Sequence, residues 1–194
     1  VALLLDAGAG LLLAALLGAL TVFASVAAPG ATLGEARAIE VAQFAAAVTV
    51  FHSFPAAVGR FNPALTLAEL ATQRVAVLRG IFAIAAQLLG ATCAGLLLSA
   101  VLAGGRPDLL ASPAYLGACE PHGIGYRAAT LVEAVATFFL ACAIFAADQR
   151  RARRMGPLSI GAATLFGALF AGPLTGGAMN PARAFGPAIS VGHW

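Results

Sequence analysis

Five long, mostly apolar stretches constrain this chain more than anything else in it. They run from about Leu3 to Ala28, Ile39 to Val58, Val77 to Ala103, Ala128 to Ala147 and Pro157 to Leu174. Each approaches or exceeds the roughly 20 mostly apolar residues that a helix needs to cross a bilayer. In hydrocarbon every backbone N–H and C=O must find its partner within the protein, which restricts such segments to packed helices. The expected class is therefore an all-α, multi-pass integral membrane protein. Composition agrees, with 61% hydrophobic and 10% charged residues against roughly 45–50% and about 25% in soluble domains. The first run is longer than a signal-peptide core and has no basic region before it, so it reads as a span.

Two shorter apolar segments, Asn62 to Leu70 and Asn180 to Val191, cannot span. They begin with the only two asparagines of the chain, at positions 62 and 180, and each is followed by Pro-Ala. Asparagine is a favoured helix N-cap, and proline suits the first turn, where its missing N–H would have had no partner. One Asn-Pro alone reads as a turn. Two copies 118 residues apart (62 to 180), each following a Gly-bearing stretch (Val58-Gly59-Arg60 and Gly176-Gly177-Ala178), read as half-helices.

Arginine sorts the loops. All eleven basic residues are arginine, and cytoplasmic loops carry the excess of basic charge. Gln149-Arg150-Arg151-Ala152-Arg153-Arg154 marks one inner loop, and Arg60, Arg74 and Arg79 mark another. The half-helices then enter from opposite faces, the arrangement of an inverted repeat with an odd number of spans per copy. The expected architecture is a single membrane domain over 1–194, with repeat 1 about 1–103 and repeat 2 about 125–194. Three spans plus a half-helix per repeat imply a sixth span after Asn180 to Val191. The chain runs from Val1 to Trp194, so that span is expected to be missing and the chain to be a fragment. Basic residues are too scattered for a nucleic-acid face. No cysteine or histidine spacing suggests a metal, and no cofactor or catalytic residue is expected.

Two ionisable residues stand out. A charge at membrane depth costs about 2.5–3.5 kcal/mol or more and is normally paired or facing a cavity. Arg183 either lines such a cavity or snorkels to the surface. Glu133, within the fourth span, is either a proton relay or a buried acceptor, and that span offers no second titratable group for a relay. Cys93 and Cys142 read as packing residues, and His122 and His193 carry no assigned role.

These residues resemble the aquaporin and glycerol-facilitator family. The likeness rests on Asn62-Pro63-Ala64-Leu65-Thr66-Leu67, Ala85-Ala86-Gln87-Leu88-Leu89-Gly90-Ala91 and Glu133 with Thr137-Phe138. Most specific is the run Thr175-Gly176-Gly177-Ala178-Met179-Asn180-Pro181-Ala182-Arg183-Ala184-Phe185-Gly186-Pro187-Ala188. The resemblance implies two half-helices meeting end to end at the bilayer centre, with Asn62 and Asn180 directing amide donors into a narrow pore. It implies that Arg183 lines the outer constriction with Ala42, Ala168 and Gly177, and that Glu133 ties down backbone amides of the second pore loop. It also implies homotetramers in a plasma or internal membrane, each subunit a passive channel for water and small neutral solutes.

Departures from the family pattern bear on the solute. Strict water channels typically place an aromatic residue and a histidine at constriction positions that are Ala42, Ala168 and Gly177 here. A wide constriction admitting glycerol, urea or metalloid acids is expected. Ala184 and Ala188 argue the other way, since glycerol facilitators usually carry Asp and a basic residue there. Ala15 stands where the family has an acid mirroring Glu133, and Val58-Gly59-Arg60-Phe61 is an unusual approach to the first Asn-Pro-Ala. These last differences leave open a structural or junctional membrane protein of the same fold.

Overall fold

A computed structural model describes residues 61–111, 115–147 and 155–194. The expected spans Leu3 to Ala28 and Ile39 to Val58, with Ala15, Ala42, His52 and Arg60, lie outside the described residues. So does the arginine cluster at 149–154.

Among the described residues there are five α-helices and no strand. Helix α1 is Pro63–Ala71, α2 is Val77–Ala103, α3 is Tyr126–Ala147, α4 is Gly156–Thr175 and α5 is Pro181–Val191. Helices α2, α3 and α4, of 27, 22 and 20 residues, are long and apolar enough to cross a membrane. Their outward faces carry Leu78, Leu89, Leu97, Val101, Leu131 and Phe138, all exposed, which suits contact with lipid tails rather than water. Cys93 and Cys142 lie on such exposed faces, not in the packed interior expected of them. An apolar spanning helix is hydrophobic all round, so its sequence carries little information about which side is inside.

The two short helices start alike. Asn62 and Asn180 are extended N-caps, and each side-chain oxygen accepts the amide two residues on, Ala64 at 2.9 Å and Ala182 at 3.0 Å. Proline follows as the first helical residue in both. Helix α1 closes at Thr72, whose amide returns to the Ala68 carbonyl, and α5 closes at left-handed Gly192, φ 69°.

Packing joins α3 to α4 and α2 to α5. Leu65, Ala136, Leu140, Ile144, Ile160, Ala171 and Met179 form the core cluster around the first pair. The second pair approaches backbone to backbone: a Cβ on Gly95 would sit 2.6 Å from the Gly186 carbonyl oxygen, and one on Gly186 would sit 2.5 Å from that of Ala91. Without a hydrophobic driving force between helices in lipid, small residues at the contact supply van der Waals packing.

The connection from Gly104 to Gly125 reads as irregular, polar and facing outward, yet its described residues include two 3-10 turns, Pro107–Leu110 and Tyr115–Gly117. Leu116 is 1% exposed and packs against Leu98, Leu102, Leu110 and Val191. Its apolar side chain covers the C-terminal ends of α2 and α5.

Candidate functional site

The site is built where α1 and α5 meet, N-terminus to N-terminus. Asn62 Nδ2 donates to the Met179 carbonyl at 2.7 Å, and Asn180 Nδ2 donates to the Phe61 carbonyl at 3.1 Å. Each asparagine therefore bonds the residue preceding the other. With Oδ1 capping its own helix and one amide hydrogen spent across the junction, each side chain keeps one further N–H, since a carboxamide carries two donors. The resemblance implied both asparagines as pore donors; the geometry leaves one donor apiece. Pro63, Ala64, Pro181 and Ala182 form the first turns behind them, Ala182 only 2% exposed. Both helix N-termini, each equivalent to about half a positive charge, point at the same place.

The approach to Asn180 is held from α3 and α4. Glu133 Oε1 accepts the Ala178 amide at 2.9 Å and Oε2 the Met179 amide at 2.7 Å. The Thr175 hydroxyl reaches Oε1 at 2.5 Å and also lies 3.0 Å from the Ala171 carbonyl. These donors engage both carboxylate oxygens and hold a backbone that turns left-handed at Gly176 (φ 82°), Gly177 (φ 58°) and Met179 (φ 48°). Methionine at positive φ is uncommon. Its amide is fixed by Glu133 and its carbonyl by Asn62, and its side chain fills the space over Gly167.

The first half-helix has a quieter support. Gln87 Nε2 of α2 donates to Thr66 Oγ1 at 3.0 Å, and that hydroxyl lies 3.2 Å from the Asn62 carbonyl. Asn62, Thr66 and Gln87 are all buried. A buried polar side chain left without a partner would cost about 1–3 kcal/mol, which favours a fixed α1–α2 arrangement.

Of the constriction residues suggested by sequence, Ala168 and Gly177 come together: a Cβ on Gly177 would lie 3.5 Å from the Ala168 Cα and 3.2 Å from the Gly172 amide nitrogen. Ala42 lies outside the described residues. Arg183 Nη1 donates to the thiol of Cys119, a residue of the outer connection that sequence reasoning left without a role. A Cβ on Gly176 would in turn stand 3.1 Å from that sulfur. Burial pushes the Cys119 thiol up, and the nearby Arg183 charge offsets this only in part, so the sulfur meets the guanidinium as a neutral thiol. Thr175 was likewise missed. Its place directly before Gly176-Gly177 is the one local signal that could have flagged it.

Opposed half-helices with reciprocal asparagine bonds, set among long apolar helices, define a multi-pass membrane protein with paired re-entrant loops. The sequence pattern of the family described as Major intrinsic protein (MIP) matches residues 7–194. The chain belongs to this family. It is 45% identical over 141 residues to Aquaporin TIP4-4 of Zea mays, covering 70% of this chain and 52% of that one. To Aquaporin-4 of Bos taurus it is 39% identical over 143 residues, covering 70% and 42%. To Probable aquaporin TIP3-2 of Oryza sativa subsp. japonica it is 40% identical over 167 residues, covering 84% and 60%. The aligned region thus spans about half the length of these relatives. The fold is similar to the X-ray structure of the aquaglyceroporin from Plasmodium falciparum, with a TM-score of 0.75 over 96% of this chain and 79% of the other at 18% identity.

Proposed function

We propose that this chain supplies the pore of a passive channel for water and small neutral solutes, working without covalent chemistry or cofactor. The reading is carried by the junction itself, where Asn62 and Asn180 bond each other's preceding carbonyls at 2.7 and 3.1 Å. Irregular backbone at membrane depth is tolerated where it is buried or lines a water-filled cavity. Two positive helix ends converge there, and a cation that must shed its water would meet their repulsion. Neutral molecules that exchange hydrogen bonds with the remaining asparagine donors would not.

Relatives described as aquaporins support the reading. Within it, Ala168, Gly177 and Arg183 contribute to the outer constriction, joined by Ala42, and Glu133 braces the second pore loop. Small side chains at three of four positions favour a width that admits glycerol or urea besides water. The inverted repeat is divided at about 1–103 and 125–194, and the channel works as a homotetramer in the bilayer.

Stopped-flow swelling of proteoliposomes containing the full-length protein tests this, first in a water gradient and then with glycerol and urea. Water permeability well above that of protein-free vesicles is expected. Permeability equal to theirs overturns the reading, and water flux with no glycerol or urea flux overturns the wide constriction alone.

A further inference from the structure

The outer connection is fastened to the site at several points. The His122 amide donates to the Leu174 carbonyl at 2.8 Å, directly before Thr175 and Gly176. The Cys119 thiol sits on Arg183. Between them, Glu120 Oε2 lies 2.6 Å from Nε2 of His193, the second residue after α5, and Glu120 Oε1 lies 3.8 Å from Nδ1 of His122. The His193 ring is not free to wander. Its amide donates to the Ala188 carbonyl at 3.0 Å, and its ring stacks flat on Tyr115, 3.7 Å between centroids with planes 4° apart.

We infer that Glu120 is a positioning residue for the outer constriction: held by His193, it fixes the loop that sets Cys119 on Arg183, so that passage there responds to the charge on His193. The inference rests on the channel reading above.

The chemistry follows from the partners. A protonated histidine gives Glu120 a charge-assisted hydrogen bond, roughly twice as strong as the bond from a neutral ring, and histidine changes charge near neutral pH. Other ionisable groups around the latch are His122 on the second Glu120 oxygen, Tyr115 beneath the ring and Tyr126 beside the Glu120 cavity. Cys119 and Arg183 lie on the inner side, with Glu133 beyond Cys119. Arg106 and Asp108 on the neighbouring turn pair with each other at 2.8 Å, and Arg127 is the second residue of α3. With His193 charged, Cys119 stays on Arg183, engaging one guanidinium donor and filling the space beside it. With His193 neutral, the loop loosens, and the donor is released to passing solute. Passage of the bulkier solute therefore increases when the His193 ring loses its proton.

The experiment measures water and glycerol permeability of proteoliposomes with equal pH on both sides, between about pH 5 and pH 8. The glycerol-to-water ratio of the unsubstituted protein is expected to rise about threefold or more, a range that the difference between charge-assisted and neutral bonds allows. Glu120→Gln and His193→Gln should each flatten the profile, Glu120→Asp should retain it, and Cys119→Ala should hold the ratio at its high-pH value throughout. Water flux above protein-free vesicles certifies that each variant folds. A flat ratio in the unsubstituted protein with water flux present, or a rise surviving in both Glu120→Gln and His193→Gln, overturns this inference and leaves the channel reading intact. Absence of all flux overturns both.

Discussion

The side-chain amide of Asn62 donates to the main-chain carbonyl of Met179 across 2.7 Å, although 117 residues separate them. Met179 also gives its amide to Glu133 at 2.7 Å. One left-handed residue thus joins α1, α3 and the start of α5, and most of the expected effects of substitution pass through it.

Glu133→Ala removes the acceptor of two backbone amides and the Thr175 hydroxyl. The Thr175 hydroxyl keeps the Ala171 carbonyl, and each of the two orphaned amides costs about 1–3 kcal/mol where water does not reach it, so a loss of roughly 2–6 kcal/mol is expected, with water flux falling alongside. Glu133→Gln, which keeps one carbonyl oxygen, should fall between. Thermal unfolding in detergent checks the order.

Asn180→Asp replaces the donor facing the Phe61 carbonyl, 3.1 Å away, with a carboxylate. Two oxygens then oppose each other, and a negative charge cancels part of the positive potential of the paired helix ends. Reduced stability and a measurable cation conductance are expected. Planar-bilayer recordings check this; a bilayer as resistive as with the unsubstituted protein contradicts it.

Gly186→Ala drives a Cβ to 2.5 Å from the Ala91 carbonyl oxygen, a backbone atom that cannot rotate away. Overpacking of this kind costs about 1–3 kcal/mol, expected here as separation of α2 from α5. Gly172→Ala is the control. Among the described residues nothing lies within 4 Å of its Cβ position, and alanine in place of a helical glycine is worth up to about 1 kcal/mol. Unfolding midpoints should move in opposite directions.

Gly177→Ala places a side chain at φ 58°, with its Cβ 3.2 Å from the Gly172 amide. The left-handed conformation costs about 1–2 kcal/mol for an ordinary residue. On the proposed constriction, passage of glycerol should fall more than that of water, because the methyl group would narrow its side next to Ala168. An unchanged ratio of the two permeabilities contradicts that placement.

Much of the frame was legible before any coordinates. Val77–Ala103 has the bounds of its apolar run, and the α1 and α5 caps follow from Asn-Pro. These features are local: a long, mostly apolar run, or one side chain capping its own turn. Glu133 was legible as an anomaly, since a carboxylate among apolar residues must be answered by donors. Its actual donors lie 42 to 46 residues away, and only the family resemblance pointed to them. The links from Cys119 to Arg183 and Glu120 to His193, 64 and 73 residues apart, left no trace in spacing. They depend on how Leu116 seats the outer connection against α2 and α5, a matter of tertiary packing alone.

The reciprocal asparagine bonds also bear on how the protein is made. Ribosomes add about 5–20 residues per second, so Asn62 emerges roughly 6 to 23 s before the Met179 carbonyl exists to receive it. The first half-helix must enter the membrane and wait with its cap made but its cross-junction bond unmade. Biogenesis of the first repeat is thus completed by the second, and a nascent chain halted before Met179 would be a client for whatever shelters half-built membrane proteins.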